Sequence, residues 1–389
     1  MQIYTTFPEG VRYLCNIEEC SGCCTLFEDI RIYDDEIEKF EAMGYSKFYE
    51  IRENYNFLKH PCHFLEGKFC SIHKKSEKFN KFSTCRKYPF YAVMLRNKNI
   101  VVDVKWACPG ISLERGEIID KKLLLKEFLQ AENPPLSSLD EVVYFHNSSR
   151  QKIEWKALEG LYSIISDALI TENISIYKSI LLLTGLVRKI GSELGSKPLV
   201  TTGDLRFIED FLQNYDVEEF IEQTRTGTPI DMDFIGFSSI LNSIFEFEIN
   251  PEYAVKKLGI KIGGEEKVNF NDNLHDIFTQ PLSLKASKLM KYYLIQNLRE
   301  SLTKPWDFIS TYFWSLGVAG MIDYIARLDA FKTINIVTDV EVRKAVRIVD
   351  FLNKHVSTYR DFAFEIYPNL GMKYLQFFIT GYDSGLGGY

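Results

Sequence analysis

Basic residues are in short supply in this chain. Its 389 residues include 46 Lys and Arg against 53 Asp and Glu, so the formal net charge is −7. Proteins that bind nucleic acid through its phosphates carry a basic excess instead. We therefore expect no nucleic-acid partner. A hydrophobic share of 46% and a charged share of 25% are typical of a globular protein and exclude disordered and fibrous classes.

Long hydrophobic runs are also lacking. The longest run, Ile180 to Val187, contains Thr184 and Gly185, and it is far shorter than the roughly 20 apolar residues that cross a bilayer. The first residues, Met1 to Glu9, lack the basic start and the apolar stretch of a secretory signal. We expect a cytoplasmic protein with no membrane partner.

Cysteine is absent from the whole chain after residue 108. The eight cysteines are Cys15, Cys20, Cys23, Cys24, Cys62, Cys70, Cys85 and Cys108. Cysteines that only fill a core would be scattered along the sequence. The first part of the chain therefore holds a specialised site, and all eight cysteines are candidate metal ligands.

An even number of cysteines is also compatible with four disulfides. In a reducing cytosol, however, clustered cysteines serve more often as ligands than as bridges. A chain of this length has enough core to fold without covalent cross-links. We predict thiolate-ligated metal, with disulfide or redox use as the alternative.

The hydrophobic pattern predicts a mainly α fold. A small irregular cysteine-rich metal-binding domain over residues 1–115 is expected to precede an all-α helical domain over residues 116–389. The first domain is expected to contain a short helix over Tyr33–Gly44 and a strand over Ile100–Val104. Asn133–Pro135 is interpreted as a linker and Ser384–Tyr389 as a loose end. Helices are predicted over Ile118–Glu132, Gln151–Leu169, Ser175–Leu194, Leu205–Tyr215, Phe234–Phe247, Leu284–Leu302, Trp306–Phe331 and Val340–His355.

The densest group of cysteines has the spacing C-x4-C-x2-C-C. Two cysteines separated by two residues can bind one metal, as in zinc knuckles and iron–sulfur loops. Adjacent Cys23 and Cys24 point apart, so one of them ligates while the other packs, or each serves a different centre. Eight thiolates suffice for two four-ligand centres, or for one centre and a reactive pair.

Histidines and basic residues accompany the later cysteines. His60, His63 and His73 could be ligands in a mixed cysteine–histidine site. They could instead support the ligands without binding the metal, or lie at the surface. Seven basic residues and one acid lie between Lys68 and Lys87. Their positive charge could stabilise thiolates, or it could form a solvated surface.

Three segments carry a resemblance to a known family. Cys20–Cys24 (CSGCC), Pro61–Leu65 (PCHFL) and Cys85–Phe90 (CRKYPF) resemble motifs of the CxxCxxCC family of zinc- or iron-chelating proteins. The segments Cys70–Lys74 (CSIHK) and Thr84–Pro89 (TCRKYP) are similar to those of the flagellin lysine-N-methylases within that family. The chain departs from the methylase pattern by having two residues, not three, between Cys20 and Cys23, and by having Phe90 where arginine is usual.

The resemblance implies metal binding and, through the methylases, methyl transfer from S-adenosylmethionine to lysines of a protein partner. The sequence offers only Gly259–Gly264 as a weak candidate for a glycine-rich cofactor turn, and it has no clear βαβ setting. A metal-stabilised scaffold or binding module without enzymatic activity is the alternative. A thiol redox protein that switches through Cys23 and Cys24 is a third hypothesis.

Iron and zinc both stay open as the metal. Zinc in a site made of four cysteines is structural and has no open position for chemistry. The excess of cysteines and the C-x4-C-x2-C triplet favour an iron–sulfur cluster. No catalytic base and no oligomeric state follow from the sequence.

Overall fold

Helices make up most of the described chain. The computed structural model describes residues 2–15, 30–42, 44–52, 55–59, 62–67, 69–72, 81–95, 99–128, 142–146, 151–170, 174–224, 230–263, 277–278, 280–302, 307–331 and 336–381. The mainly α fold class is confirmed within these ranges. None of the helices described there combines the length and the apolar character needed to cross a membrane.

The chain divides into two units. Residues 9–94 and 102–135 form one of them, here named the cysteine unit because those ranges contain every cysteine. Residues 1–8, 95–101 and 136–389 form the other, here named the helical unit.

Short strands occur in both units. Those in the described ranges are β1 Ile3–Thr5, β2 Arg12–Tyr13, β3 Arg31–Ile32, β4 Tyr49–Arg52, β5 Tyr55–Leu58, β6 Leu65–Glu66, β7 Phe69–Cys70, β8 Phe90–Met94, β9 Ile100–Val104, β10 Ile111–Ser112, β11 Glu117–Ile118, β12 Val142–His146, β13 Gln151–Glu154 and β14 Leu199–Val200. In the cysteine unit the orders are β10-β2-β11, β3-β5-β4 and β6-β7, all antiparallel. In the helical unit β13 pairs antiparallel with β12 and parallel with β14.

The helices of the described ranges are α1 Asp34–Ala42, α2 Ser83–Lys87, α3 Lys121–Phe128, α4 Trp155–Ile170, α5 Ile176–Leu194, α6 Phe207–Asn214, α7 Val217–Thr224, α8 Ile230–Glu246, α9 Pro251–Leu258, α10 Leu284–Leu298, α11 Phe308–Phe331, α12 Asp339–His355 and α13 Ser357–Gly381. Short 3₁₀ segments occur at Ser46–Phe48, Thr202–Leu205 and Arg299–Leu302. Several helices begin at a side-chain cap. Ser175, Ser283 and Thr338 each accept a hydrogen bond from a backbone N–H of the first turn, which satisfies a donor that the helix cannot.

Most of the predicted helices and the predicted strand are confirmed. β9 occupies Ile100–Val104 and is fully buried. α1 buries Phe40, and Gly44 follows it with a φ of +79°, a conformation that suits glycine at a helix end. The linker Asn133–Pro135 and the tail Ser384–Tyr389 lie outside the described residues.

Three predicted helix starts were wrong. The helix predicted from Phe234 begins at Ile230. The helix predicted from Ile118 begins at Lys121, because Glu117–Ile118 pairs with β2. The helix predicted from Gln151 begins at Trp155, because Gln151–Glu154 pairs with β12 and alternates between buried and less buried positions. The body predicted as all-α therefore also contains a three-stranded sheet. Helices α2, α7, α9 and α13 were not predicted.

α11 is the central helix of the helical unit. Nearly all of its side chains are buried, as expected for a helix that is apolar on every side. Gly317 lies so close to α13 that a Cβ there would overlap the carbonyl oxygen of Tyr367. A Cβ at Gly371 would likewise overlap the carbonyl oxygen of Phe313. Glycines on both helices therefore allow the two backbones to touch.

A buried ion pair joins α11 to its neighbours. Arg327 Nε donates to Asp323 Oδ1 at 2.8 Å, and the Tyr374 hydroxyl donates to Asp323 Oδ2 at 2.8 Å. The same guanidinium donates to the backbone carbonyls of Phe278, at 3.0 Å, and Gln280. Both charged groups are almost fully buried, and each is paired and hydrogen-bonded as burial of charge requires. This network connects α11 to α13 and to the backbone at Phe278 and Gln280.

Replacing Gly317 by alanine should lower the free energy of unfolding by about 1–3 kcal/mol, because the added methyl must push α13 away. The control Gly191→Ala lies in α5, where a Cβ meets no atom within 4 Å. That change should leave stability unchanged or raise it by up to about 1 kcal/mol, because alanine favours the helix. Urea unfolding measures both variants, and equal effects would contradict the close approach of α11 and α13.

Candidate metal centre

Cys62 and Cys70 are brought together by a short hairpin. Cys62 precedes β6, and its carbonyl accepts a hydrogen bond from Leu65 N at 3.0 Å. Leu65 pairs with Cys70 across the β6–β7 ladder. Gly67, with a φ of +65°, lies in the turn between the strands. Two cysteines eight positions apart in sequence thus lie at the base of one hairpin.

Cys85 lies on α2, a helix too short to be stable by itself. The Glu36 carboxylate on α1 accepts hydrogen bonds from Ser83 N at 2.7 Å and from Ser83 Oγ at 2.9 Å. Thr84 Oγ1 donates to the carbonyl of Arg31 at 2.7 Å. The Glu36 side chain of α1 and the Arg31 backbone carbonyl of β3 therefore fix the helix that carries Cys85.

One apolar cluster connects these three cysteines. Its centre is the ring of Phe40, whose centroid lies 4.9 Å from that of Phe82 and 6.0 Å from that of Phe64. Cys62 is a buried member of the cluster, with 7% of its surface exposed, and partly buried Cys70 and Cys85 pack against it. We name this group of three phenylalanines and three cysteines the Phe40 cluster.

Cys15 and Cys108 lie elsewhere in the same unit. Leu14 N donates to the carbonyl of Gly110 at 2.9 Å, next to the β2–β10 pairing. A Cβ at Gly110 would overlap the carbonyl oxygen of Leu14, so the two segments touch only because residue 110 is glycine. Cys15 is exposed and Cys108 is buried. The described cysteines thus fall into a group of three and a group of two.

The remaining predicted ligands lie outside the described residues. Cys20, Cys23 and Cys24 are among them, and so are His60 and His73. Among the cysteines that the structure describes, no disulfide is present. Within the described ranges, no three Cys, His, Asp or Glu side chains come together as a group that could hold a metal ion. The described thiols alone therefore do not complete a metal site.

His63 is engaged with an aromatic ring. Its imidazole stacks on Phe48, with ring centroids 3.5 Å apart and planes 14° apart. Stacking accounts for an exposed histidine beside Cys62 without a role as ligand. Of the alternatives for this residue, the geometry favours a packing role.

Two basic side chains near Cys85 form cation–π contacts with an aromatic ring. Lys87 Nζ lies 5.5 Å from the ring centroid of Tyr33, and the Arg31 guanidinium lies 5.1 Å from the same centroid. Nearby, burial raises the pKa of Tyr91, and the charge of Asp103 raises it further. Tyr91 therefore stays protonated at neutral pH and adds no negative charge of its own.

Sequence reasoning missed the residues that position the cysteines. Glu36 lies in the first turn of the helix predicted over Tyr33–Gly44, and nothing in its local sequence pointed to Ser83. The phenylalanines at positions 40, 64 and 82 looked like ordinary core residues. Only Gly110 gave a hint of these contacts in the sequence, because a glycine directly after Cys-Pro indicates a turn or a close backbone approach.

Replacing Glu36 by alanine should release α2, because Ser83 N and Ser83 Oγ lose their shared acceptor. The expected loss of unfolding free energy is about 1.5–3 kcal/mol, the usual range for hydrogen bonds to a charged group. Hydrogen exchange of the amides in 84–87 should speed up more than that of the helical unit. Glu38→Ala, on an exposed position of the same helix, is the control. The same exchange rates in both variants would rule out the anchoring role of Glu36.

Comparison with known proteins finds no relative of this chain. No family model, no curated protein and no solved structure matches it.

Proposed function

We propose that the cysteine unit binds a thiophilic metal through its cysteine thiolates, as an iron–sulfur cluster or as zinc. The observation that carries the proposal is the Phe40 cluster, where Cys62, Cys70 and Cys85 come from a turn, a strand and a helix to one place. Thiolates are the ligands that select zinc, copper(I) and iron–sulfur clusters among biological metals.

Core packing is the competing explanation for these cysteines. Cysteine packs well as a small apolar side chain, and Cys62 is buried among phenylalanines. A packing role, however, would place cysteines in the larger apolar core of the helical unit as well, and that unit has none in its sequence. Their restriction to one unit supports a role as ligands.

The proposed donors extend beyond the Phe40 cluster. Cys20, Cys23 and Cys24 carry the densest spacing in the sequence, and we propose them as the partners of the three clustered cysteines. Cys15 and Cys108 lie on touching segments and form either part of a second centre or a reactive pair. An apolar shell such as the three phenylalanines limits solvent access to a centre and thereby influences its redox potential.

Methyl transfer is the activity that the resemblance to flagellin lysine-N-methylases implies. In that hypothesis S-adenosylmethionine is the methyl donor, a protein lysine is the acceptor, and the protein acts in the cytoplasm. Gly259 ends helix α9, with a φ of +62°, whereas the glycine-rich turn of a dinucleotide-type cofactor site follows a strand and opens a helix, so its setting does not match such a turn. A scaffold whose cysteine unit is folded around metal is the alternative, and a purified protein distinguishes the two.

Purification without oxygen should yield protein with stoichiometric metal. An iron–sulfur centre would give visible absorption together with iron and sulfide, and zinc would give a colourless protein. Cys85→Ser should lose metal, because serine does not replace a soft thiolate ligand. Thr84→Ser, one residue earlier in α2, keeps the hydroxyl that bonds Arg31 and should retain full metal content. A metal-free parent protein, or an unchanged metal content in Cys85→Ser, would overturn the proposal.

Incubation of the metal-loaded protein with labelled S-adenosylmethionine and cell protein tests the enzymatic hypothesis. Label on lysine side chains that depends on Cys85 supports methyl transfer. Metal binding without cofactor binding or label transfer supports the scaffold. The metal content is measured separately, so neither outcome of the labelling experiment changes the test of metal binding.

A further inference from the structure

The helical unit contains an open cavity that the proposed metal centre does not involve. Its volume is about 420 Å³, within the range of roughly 300–1,000 Å³ that is usual for small-molecule sites. It lies between α5, α6 and α7 and is lined by side chains of all three helices and the loop between α6 and α7.

Aromatic rings form the floor of the cavity. The ring of Tyr215 lies 4.7 Å from that of Phe211 and 5.8 Å from that of Phe220, measured between centroids. The Tyr215 hydroxyl donates to the carbonyl of Leu181 at 3.1 Å. A Cβ at Gly185 would overlap the Tyr215 ring. The floor is therefore fixed in place by packing that requires glycine at position 185.

Opposite charges line the cavity from different helices. Arg188 and Lys189 lie on α5, and Asp216 and Glu219 lie at the start of α7, where Asp216 Oδ1 also accepts a hydrogen bond from Glu219 N at 3.3 Å. Lys189 already pairs with Glu193 at 2.6 Å, which leaves Arg188 as the cation of its wall. Among the described residues no ion pair to Arg188 is present. Its fork of N–H donors suits a carboxylate.

The pKa of the Tyr215 phenol reflects the mixed charge of this lining. Burial raises it most strongly, the Tyr312 phenol raises it further, Arg188 lowers it, and Asp216 raises it. A small ligand that carries both a cationic and an anionic group therefore has a partner of opposite charge for each among the residues that line the cavity.

We propose that this cavity binds a small zwitterion with a flat apolar side chain, that is, an aromatic α-amino acid. Its carboxylate pairs with Arg188, its ammonium group with Asp216 and Glu219, and its ring lies on the Phe211, Tyr215 and Phe220 rings. A simple anion is repelled by the two acids, and a simple cation is repelled by Arg188. Aromatic rings also attract an ammonium group over their faces.

Calorimetric titration of the full-length protein with L-tryptophan tests the proposal. Saturable binding is expected. N-acetyl-L-tryptophan, which lacks the ammonium charge, and L-tryptophanamide, which lacks the carboxylate, should each bind about tenfold more weakly or worse, since each loses a charge-assisted hydrogen bond. No saturable binding of L-tryptophan would overturn the proposal. So would equal affinity for either derivative, which would make the cavity a plain anion or cation site.

Charge-neutral variants assign the two walls. Arg188→Gln should weaken L-tryptophan about tenfold but should not weaken L-tryptophanamide, which has no carboxylate to lose and is no longer repelled by the arginine. Glu219→Gln should weaken L-tryptophan but should not weaken the N-acetyl derivative, which has no ammonium group to lose and meets less repulsion. Lys178→Gln on α5 and Glu209→Gln on α6 lie outside the cavity lining and should bind as the parent does. Equal losses for tryptophan and its amide in Arg188→Gln would contradict the assignment, and metal content has no bearing on either result.

Discussion

The packing of three phenylalanine rings is the contact on which the account of the cysteine unit depends. Phe40, Phe64 and Phe82 come from α1, the segment before β6 and the residue before α2, and they meet edge to face or tilted. Such pairs contribute about 0.5–1.5 kcal/mol each beyond the area they bury. In its described residues the unit is built from short strands and two short helices after α1, so local structure alone would not hold Cys62, Cys70 and Cys85 together. Long-range apolar contacts and the Glu36 hydrogen bonds hold them there.

Secondary structure in the helical unit was largely predictable from the sequence. α5, α10 and α12 show the 3.6-residue pattern over many turns, and each begins at a serine or threonine cap. α11 stands out instead as a long apolar stretch. The short strand β13 was not predictable, because four residues before a long helix give a weak alternating pattern. Its pairing with β12 and β14 is a tertiary contact that propensity does not encode.

The site was predictable in its composition and not in its arrangement. The positions of the cysteines in sequence identified the ligand candidates, yet nothing in the spacing placed Cys62, Cys70 and Cys85 in one cluster and Cys15 beside the segment of Cys108. That division follows from tertiary contacts. The backbones at Leu14 and Gly110 touch near Cys15 and Cys108, and the phenylalanine rings pack around the other three cysteines. The cavity floor at Tyr215 was equally hidden, since its aromatic residues lie within helical patterns that predict core packing.

X-ray absorption at the iron or zinc edge of the purified protein tests the central claim most directly, because it identifies the atoms bound to the metal. The account predicts a first shell dominated by sulfur, at about 2.3 Å if the metal is zinc, and a loss of sulfur neighbours when Cys62, Cys70 or Cys85 is replaced by serine. A first shell of oxygen and nitrogen only, or a shell that all three replacements leave unchanged, would contradict it.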